Sequence, residues 1–189
     1  MAQASKRERL VKEAVGLFAR EGFHAVGVDA ISRQAGATKK TLYHHFKSKD
    51  ELVLAALRHY DERFRNAFMQ AVESRTQHPV ARLLMVFDVM KDWFGQKNFY
   101  GCLLVGAMGE FPEPTSPIRK ACRESKKSFQ KYIKDLAVQA GLKKPDQLAA
   151  QLMLLVEGAI TLAQVNGSPR CADQAKAAAQ ILIDQARRA

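Results

Sequence analysis

Residues 28–46 read VDAISRQAGATKKTLYHHF, and this stretch decides the fold of the amino-terminal part of the chain. Apolar residues recur in it at the spacing of a helix face, about 100° per residue. They form two sets, one on each of two short helices: Val28, Ile31 and Ala35, then Leu42 and Phe46. The two apolar faces can therefore close on each other.

A glycine and a threonine mark the turn between these helices. Gly36 lies where the chain must reverse, and glycine accepts the positive φ that such a reversal requires. Thr38 can cap the second helix by accepting a hydrogen bond from an unpaired backbone N–H. The pattern predicts a helix-turn-helix and hence DNA binding. The alternative is a helical hairpin that has the same turn residues and no role with nucleic acid.

The outward side of the second helix is rich in hydrogen-bond donors and positive charge. Its residues are Lys39, Lys40, Thr41, Tyr43, His44 and His45. A third helix begins near Ser48 or Lys49, and its first backbone N–H groups, together with Lys47 and Lys49, suit phosphate.

Two segments carry a resemblance to a known family. Residues 35–46, followed by Lys49 and Leu52, are similar to the signature of the TetR/AcrR family, and residues 9–23 resemble its opening helix. Proteins of this family are dimeric, ligand-responsive repressors that are released from a palindromic operator by a small effector. The resemblance covers about the first third of the chain.

The resemblance implies an all-α protein of about nine helices, with a body built from packed helices. A three-helix helix-turn-helix domain is expected in residues 1–49, and a ligand-binding and dimerisation domain in residues 50–189. In similar proteins the final two helices pair with those of a second copy, so a homodimer is expected. A monomeric core is the alternative for those helices.

The same resemblance implies which residues meet DNA. They are Thr38, Lys39, Lys40, Thr41, Tyr43, His44, Lys47 and Lys49. Lys39, Lys40 and His44 are the candidates for base edges, whereas the remaining side chains suit phosphates. Two positions depart from the family pattern. Gly27 replaces a serine or threonine that caps the second helix, and Lys40 stands where small residues are common.

The formal net charge of +11 suggests a polyanionic partner. Residues 1–60 hold 11 Lys and Arg against 6 Asp and Glu, and residues 115–144 hold 9 against 2. The second stretch is a further DNA or membrane surface or, as we expect, one solvated face of a long helix. Its cations are Arg119, Lys120, Arg123, Lys126, Lys127, Lys131 and Lys134.

Sequence features also bear on compartment and chemistry. We find no stretch approaching the ~20 apolar residues of a membrane span and no apolar core of a signal peptide, so a cytoplasmic protein without membrane contact is expected. Cys102, Cys122 and Cys171 are too few and too widely spaced for a disulfide framework or a four-cysteine zinc site. With no phosphate-binding loop, metalloprotease motif or nucleophile elbow, we expect neither enzyme activity nor a cofactor.

Proline and glycine divide the body into further helices. We expect them from Lys49 to about Ser74, from Pro79 to Gly95, over 101–111, from Pro145 to Asn166 and from Asp173 to Arg187. The helix from Pro145 is apolar over most of its circumference, which predicts burial on more than one side.

The candidates for an effector site are large, adaptable side chains and one carboxylate. They are Phe87, Met90, Trp93, Phe94, Tyr100, Cys102, Met108, Phe111, Met153 and Glu157. Most such residues fill cores whether or not a ligand exists. Glu157 could bind a cationic or hydroxylated effector, pair with an arginine or lie at a dimer seam, and we rank the structural pairing first.

The expected effector is a small, mostly apolar molecule. Two alternatives stay open: Cys102 as a sensor thiol for oxidants or electrophiles, and an architectural DNA binder that no ligand controls.

Overall fold

The computed structural model describes residues 5–188, in which helices are joined by short irregular segments and there is no strand. Its helices are α1 (Lys6–Glu21), α2 (Val28–Gln34), α3 (Lys39–His45), α4 (Lys49–Arg75), α5 (Pro79–Phe94), α6 (Leu103–Glu110), α7 (Pro117–Gln139), α8 (Pro145–Asn166) and α9 (Arg170–Arg188). The predicted all-α fold, with three helices ahead of the long fourth, is confirmed.

Helix ends follow local chemistry. α1 begins with a capping box, in which the Ser5 hydroxyl accepts from the Glu8 N–H at 3.2 Å and the Glu8 carboxylate accepts from the Ser5 N–H at 2.7 Å. Proline is the first residue of α5, α7 and α8, where its missing N–H costs no helical hydrogen bond. α6 begins at Leu103 rather than at 101, because Gly101 has φ +87° and Cys102 is the N-cap.

The contacts divide the chain into two compact units. One holds the described residues up to Phe64 together with Cys102–Ser125, and the other holds Arg65–Gly101 together with Lys126 and the residues that follow. The boundary therefore falls within α4 and α7. The expected functional division at residue 49 concerns roles rather than contacts and stays a prediction.

In the first unit, α1, α2 and α3 close over one apolar core. Ile31, Ala35, Leu42 and Phe46 are buried in it, as the sequence pattern predicts, and Val28 packs at its edge. Removing a side chain of that size from water contributes roughly 1.5–3 kcal/mol. The core therefore fixes the pairing of α2 with α3.

In the second unit, α5, α8 and α9 form the main packed group. Two ion pairs join α9 to α5: Lys176 to Asp88 at 2.6 Å and Lys91 to Asp173 at 2.8 Å. The core lies between these helices, around Phe87, Met90 and Leu152.

α8 departs from two sequence expectations. Leu148, Leu152 and Val156 are buried, but Leu154 and Val165 each expose 75% of their surface, so the single chain buries only one side of this helix. By length and composition α8 is also apolar enough to cross a bilayer, contrary to the expectation that no stretch comes close. Core helices pass the same test, and α8 packs against α5 and α9. We therefore assign it to the protein core.

Candidate nucleic-acid interface

The turn between α2 and α3 has the geometry that the sequence predicts. Gly36 adopts φ +61°, in the left-handed region. Thr38 is the N-cap of α3, and its hydroxyl accepts a hydrogen bond from the Thr41 N–H at 3.1 Å. The predicted cap is therefore confirmed, and the first turn of α3 is fixed before any partner arrives.

The outer side of α3 faces solvent. Lys39, Lys40, Tyr43 and His44 are exposed, whereas Leu42 on the opposite side is fully buried. Within residues 5–188, Lys40 has no hydrogen bond or ion pair. The Lys39 ammonium binds Asp29 on α2 at 3.2 Å. Both groups of that pair are exposed, and such pairs contribute about 0–1 kcal/mol, so a phosphate can replace the carboxylate.

The entry to α4 carries the other expected phosphate ligands. The Glu51 N–H donates to the Ser48 hydroxyl at 3.2 Å, and the Glu51 carboxylate accepts from the Lys47 N–H at 2.7 Å. The Lys47 side chain is exposed. Lys49 is half-buried and donates to the His24 carbonyl at 3.2 Å, which leaves two of its N–H bonds for another acceptor. This contact with the residues after α1 has no signal in the sequence pattern.

Gly27 caps α2 without a side-chain hydrogen bond, which is the consequence expected of glycine at this position. Sequence reasoning also missed Arg7. Its guanidinium lies 5.1 Å from the centre of the Phe46 ring, so the start of α1 places a cation beside the end of α3. The basic run Lys6-Arg7-Glu8-Arg9 is the signal that could have found it.

The ten candidate effector residues are divided between the two units. Cys102, Met108 and Phe111 belong to the first unit and the other seven to the second. Phe87, Met90 and Phe94 are buried, whereas Tyr100 exposes 44% of its surface. Their use as a ligand site stays a prediction.

Three of these candidates have clear structural contacts. Trp93 and Phe94 pack with Phe99, a ring that the sequence reading did not include, at centroid distances of 5.1 and 5.0 Å. Glu157 binds the Lys126 ammonium at 2.7 Å, with about a third of each side chain exposed. The partner that we expected to be an arginine is therefore a lysine of the basic stretch.

Most cations of the basic stretch of α7 form ion pairs or hydrogen bonds with other groups of the chain. The ion pairs are Lys120 with Glu124 at 4.0 Å, Lys126 with Glu157 at 2.7 Å, Lys131 with Asp135 at 2.6 Å and Lys134 with Asp146 at 2.7 Å. Arg119 and Arg123 donate to backbone carbonyls near the end of α6. These partners favour the helix-face interpretation over a second nucleic-acid surface.

In the described part of the chain, no three His, Cys, Asp or Glu side chains are grouped as a metal site would need. The ionisable groups of α2, α3 and the residues between them are exposed except for His45, which is half-buried, so the arrangement offers mainly positive charge and hydrogen-bond donors.

Comparison with known proteins gives two family matches. Residues 10–56 match the family described as bacterial regulatory proteins, tetR family, and residues 79–179 match the tetracyclin repressor-like C-terminal domain. The first match contains the whole helix-turn-helix, and the second contains α5 to α8 and part of α9.

Individual relatives are distant but cover nearly the whole chain. The HTH-type transcriptional regulator LmrA of Bacillus subtilis is 25% identical over 166 residues, which is 86% of this chain and 88% of that protein. The HTH-type transcriptional regulator YjdC of Escherichia coli is 22% identical over 96% of this chain and 95% of its own. The crystal structure of SCO4454, a TetR-family transcriptional regulator from Streptomyces coelicolor, is similar with a TM-score of 0.88 and 26% identity, covering 96% of this chain and 95% of that chain.

Proposed function

The chain belongs to the TetR family of bacterial transcriptional regulators, and from this membership we propose that it is a homodimeric repressor which a small, mostly apolar effector releases from a palindromic operator. It is a DNA-binding regulator and not an enzyme. The repressor role, the dimer, the effector and a cytoplasmic location are the parts that we propose.

The observation that carries the DNA-contact assignment is the outward side of α3. Leu42 and Phe46 hold the helix to the core, so Lys40 and His44 are directed to solvent. A lysine can donate to the O6 and N7 acceptors of guanine in the major groove. Lys47 and Lys49 at the entry of α4 suit the phosphates on either side. These contacts position α3 and leave Lys40 and His44 to discriminate between bases.

A dimer is supported by the exposed apolar side chains of the last two helices. Leu154, Leu162 and Val165 on α8 and Ile181 on α9 each expose about half or more of their surface in the single chain. Covering such residues with a second copy removes apolar area from water. We call the helix-turn-helix unit of each copy, α1 to α3, its head. The two heads of a symmetric dimer would then meet successive major grooves about 34–36 Å apart.

Effector control is supported by the aromatic and methionine side chains of α5 and α6. An effector that binds better to one spacing of the heads shifts the population toward that spacing, by no more than its differential affinity. An apolar effector is favoured because Phe87, Met90 and Phe94 offer no polar group for recognition.

The proposal is tested with a duplex that the wild-type protein selects from a random pool. Thermal shift against a panel of small apolar compounds identifies candidates, and fluorescence anisotropy measures whether each lowers the affinity for the duplex. In vitro transcription from a promoter carrying the site should fall when protein is added and recover with the effector. Unchanged affinity across the panel contradicts effector release, and increased transcription contradicts repression.

A second candidate function uses the Cys102 thiol as a sensor. The supporting observation is its position as the N-cap of α6, beside the unpaired N–H groups of the first turn. Against it, Cys102 packs at the edge of an apolar cluster. Peroxide should lower the DNA affinity of the wild type and not of Cys102→Ser if the thiol is the sensor. Equal responses of the two proteins would exclude it.

A further inference from the structure

The carboxylate of Glu110, the last residue of α6, is bound by the residues that follow α1. It accepts hydrogen bonds from the backbone N–H groups of Phe23 at 2.8 Å and His24 at 2.6 Å. The His24 ring contributes a third bond from Nδ1 at 2.9 Å. One side chain thus joins segments that are 86 and 87 residues apart in the sequence.

The backbone at residues 22–24 is shaped to hold an anion. Gly22 adopts φ +86° and donates its N–H to the Phe18 carbonyl at 3.0 Å, which ends α1. The next two N–H groups then converge on the carboxylate, an arrangement in which successive backbone amides form an anion-binding concavity. A Cβ at position 22 would lie 3.0 Å from Glu110 Oε1. The backbone angle therefore favours glycine, and any larger residue would also displace the Glu110 carboxylate by a few tenths of an ångström.

Aromatic rings enclose this anion site on the apolar side. Phe111 lies edge-on to Phe23 at 5.7 Å and tilted against His24 at 5.1 Å between ring centres. Phe23 is buried and stacks on Phe18 at 4.9 Å. The rings pack beside the hydrogen bond from the Phe23 amide, which is partly buried, whereas the two hydrogen bonds from His24 are exposed.

The end of α6 is also fixed from α7. The Arg119 guanidinium donates to the carbonyls of Met108, Phe111 and Pro112, each at 3.3 Å. Met108 lies in the last turn of α6, where carbonyl groups have no helical partner, and Phe111 and Pro112 directly follow the helix. Glu110 therefore presents its carboxylate from a defined position rather than from a free helix end.

The carboxylate is ionised at neutral pH. Burial raises the pKa of Glu110, but the hydrogen bonds from the Phe23 and His24 amides and from the His24 ring outweigh burial and lower the pKa below the ordinary value. Hydrogen bonds to an ionised acceptor are about twice as strong as neutral ones. The contact is thus stronger than an ordinary polar contact at a surface.

Residues 22–24 are also bound from α4, since Lys49 donates to the His24 carbonyl at 3.2 Å. They connect α1 to α2, and α2 packs directly against α3. Any displacement of α6 that carries Glu110 with it therefore also displaces residues 22–24, and through α2 it alters the position of α3.

We propose that Glu110 is a positioning residue for DNA binding: its carboxylate fixes α1, α2 and α3 to the end of α6, so that the two heads of a dimer keep one spacing. This inference rests on the proposed function. The inference adds Glu110 as the residue that joins α6 to the head. It extends to regulation, because an effector that moves α6 would also move residues 22–24.

The first test is hydrogen exchange measured by mass spectrometry on peptides spanning residues 22–24. Glu110→Ala removes all three hydrogen bonds, whereas Glu110→Gln keeps the shape and loses the charge. Glu113→Ala is the matched control, because this carboxylate lies three residues away and its hydrogen bonds within residues 5–188 go to Thr115 of its own loop. We expect exchange at least about tenfold faster in Glu110→Ala, a smaller increase in Glu110→Gln and no change in Glu113→Ala.

The second test measures the affinity of the same proteins for the selected duplex and for duplexes with one base pair added or removed between the half-sites. A fixed spacing should make the wild type and Glu113→Ala prefer the selected spacer by about tenfold or more. Glu110→Ala should bind all three duplexes within about threefold, because heads that move freely tolerate a changed spacing. Glu110→Gln should fall between these limits.

Each outcome decides the proposal. Unchanged exchange in both Glu110 variants overturns it. Faster exchange with an undiminished spacer preference also overturns it, since Glu110 would then be only structural. If the wild type selects no duplex, the proposed function fails, while the exchange measurement still decides whether Glu110 fixes the head to α6.

Discussion

Replacing Gly22 with alanine should destabilise the folded chain, whereas replacing Gly16 with alanine, inside α1, should stabilise it. Gly22 has φ +86° and ψ 165°, a region almost confined to glycine, where another residue costs about 1–3 kcal/mol. The added Cβ would also lie 3.0 Å from Glu110 Oε1, so the carboxylate must shift. Weakening its hydrogen bonds by roughly 1 kcal/mol brings the expected cost to about 2–4 kcal/mol.

Gly16 gives a matched control in the same helix. A Cβ there would meet only the end of the Arg20 side chain, at 3.5 Å, which is ordinary contact. Alanine in place of glycine in a helix stabilises by about 0.4–1 kcal/mol. Urea unfolding followed by circular dichroism at one protein concentration measures both changes. In the Glu110→Ala background, the part of the Gly22→Ala cost that comes from the carboxylate should disappear.

For a chain of this length, each kcal/mol shifts the melting temperature by about 2–4 °C, so Gly22→Ala should melt about 5–15 °C lower. A Gly22→Ala protein within about 0.5 kcal/mol of the wild type would refute the reasoning. A shift of both variants in the same direction would refute it equally.

Three further predictions follow from single contacts. Thr38→Ala should lower the free energy of unfolding by about 1 kcal/mol and weaken operator binding, because the hydroxyl that caps α3 is lost, while Thr38→Ser should retain both. Lys40→Ala should reduce operator affinity and relax base preference at one position by about 1–3 kcal/mol. Lys126→Ala is the control and should leave operator affinity unchanged, because the Lys126 ammonium pairs with Glu157. Anisotropy titrations compare the two variants. The folded-state pKa of Glu110 lies below its ordinary value of 4.5. The contribution of Glu110 to stability is therefore complete above pH 4.5 and is lost as the pH falls through the lowered pKa. In urea unfolding from pH 6 to 3, the free energy of unfolding should decline less steeply in Glu110→Gln than in the wild type.

The head was predictable because its signals are local. The apolar spacing from Val28 to Phe46, the glycine in the turn and the threonine cap all act within a few residues. Proline marked the start of α5 and of α8 for the same reason. The start of α9 was placed three residues late, since Cys171 and Ala172 do not form a recognisable helix signal.

Long-range partners could not be predicted in this way. Periodicity shows which face of a helix is apolar but not which distant group a side chain will meet. Lys126 belonged to an evident basic face, yet its pairing with Glu157 depends on how α7 lies beside α8. Glu110 was not singled out at all, because its partners are backbone N–H groups that every residue offers. The burial of α8 was overestimated, on more than one side instead of one, because an apolar circumference does not distinguish a core from a contact surface.

Selection of duplexes from a random pool by the wild-type protein tests the central claim most directly, because sequence and symmetry are read in one measurement. We predict enriched sequences with two inverted half-sites whose centres lie about 10 base pairs apart, or a multiple of that repeat. The account is contradicted if no sequence is enriched over scrambled DNA at moderate salt, or if the enriched site is a single element bound by one copy of the chain.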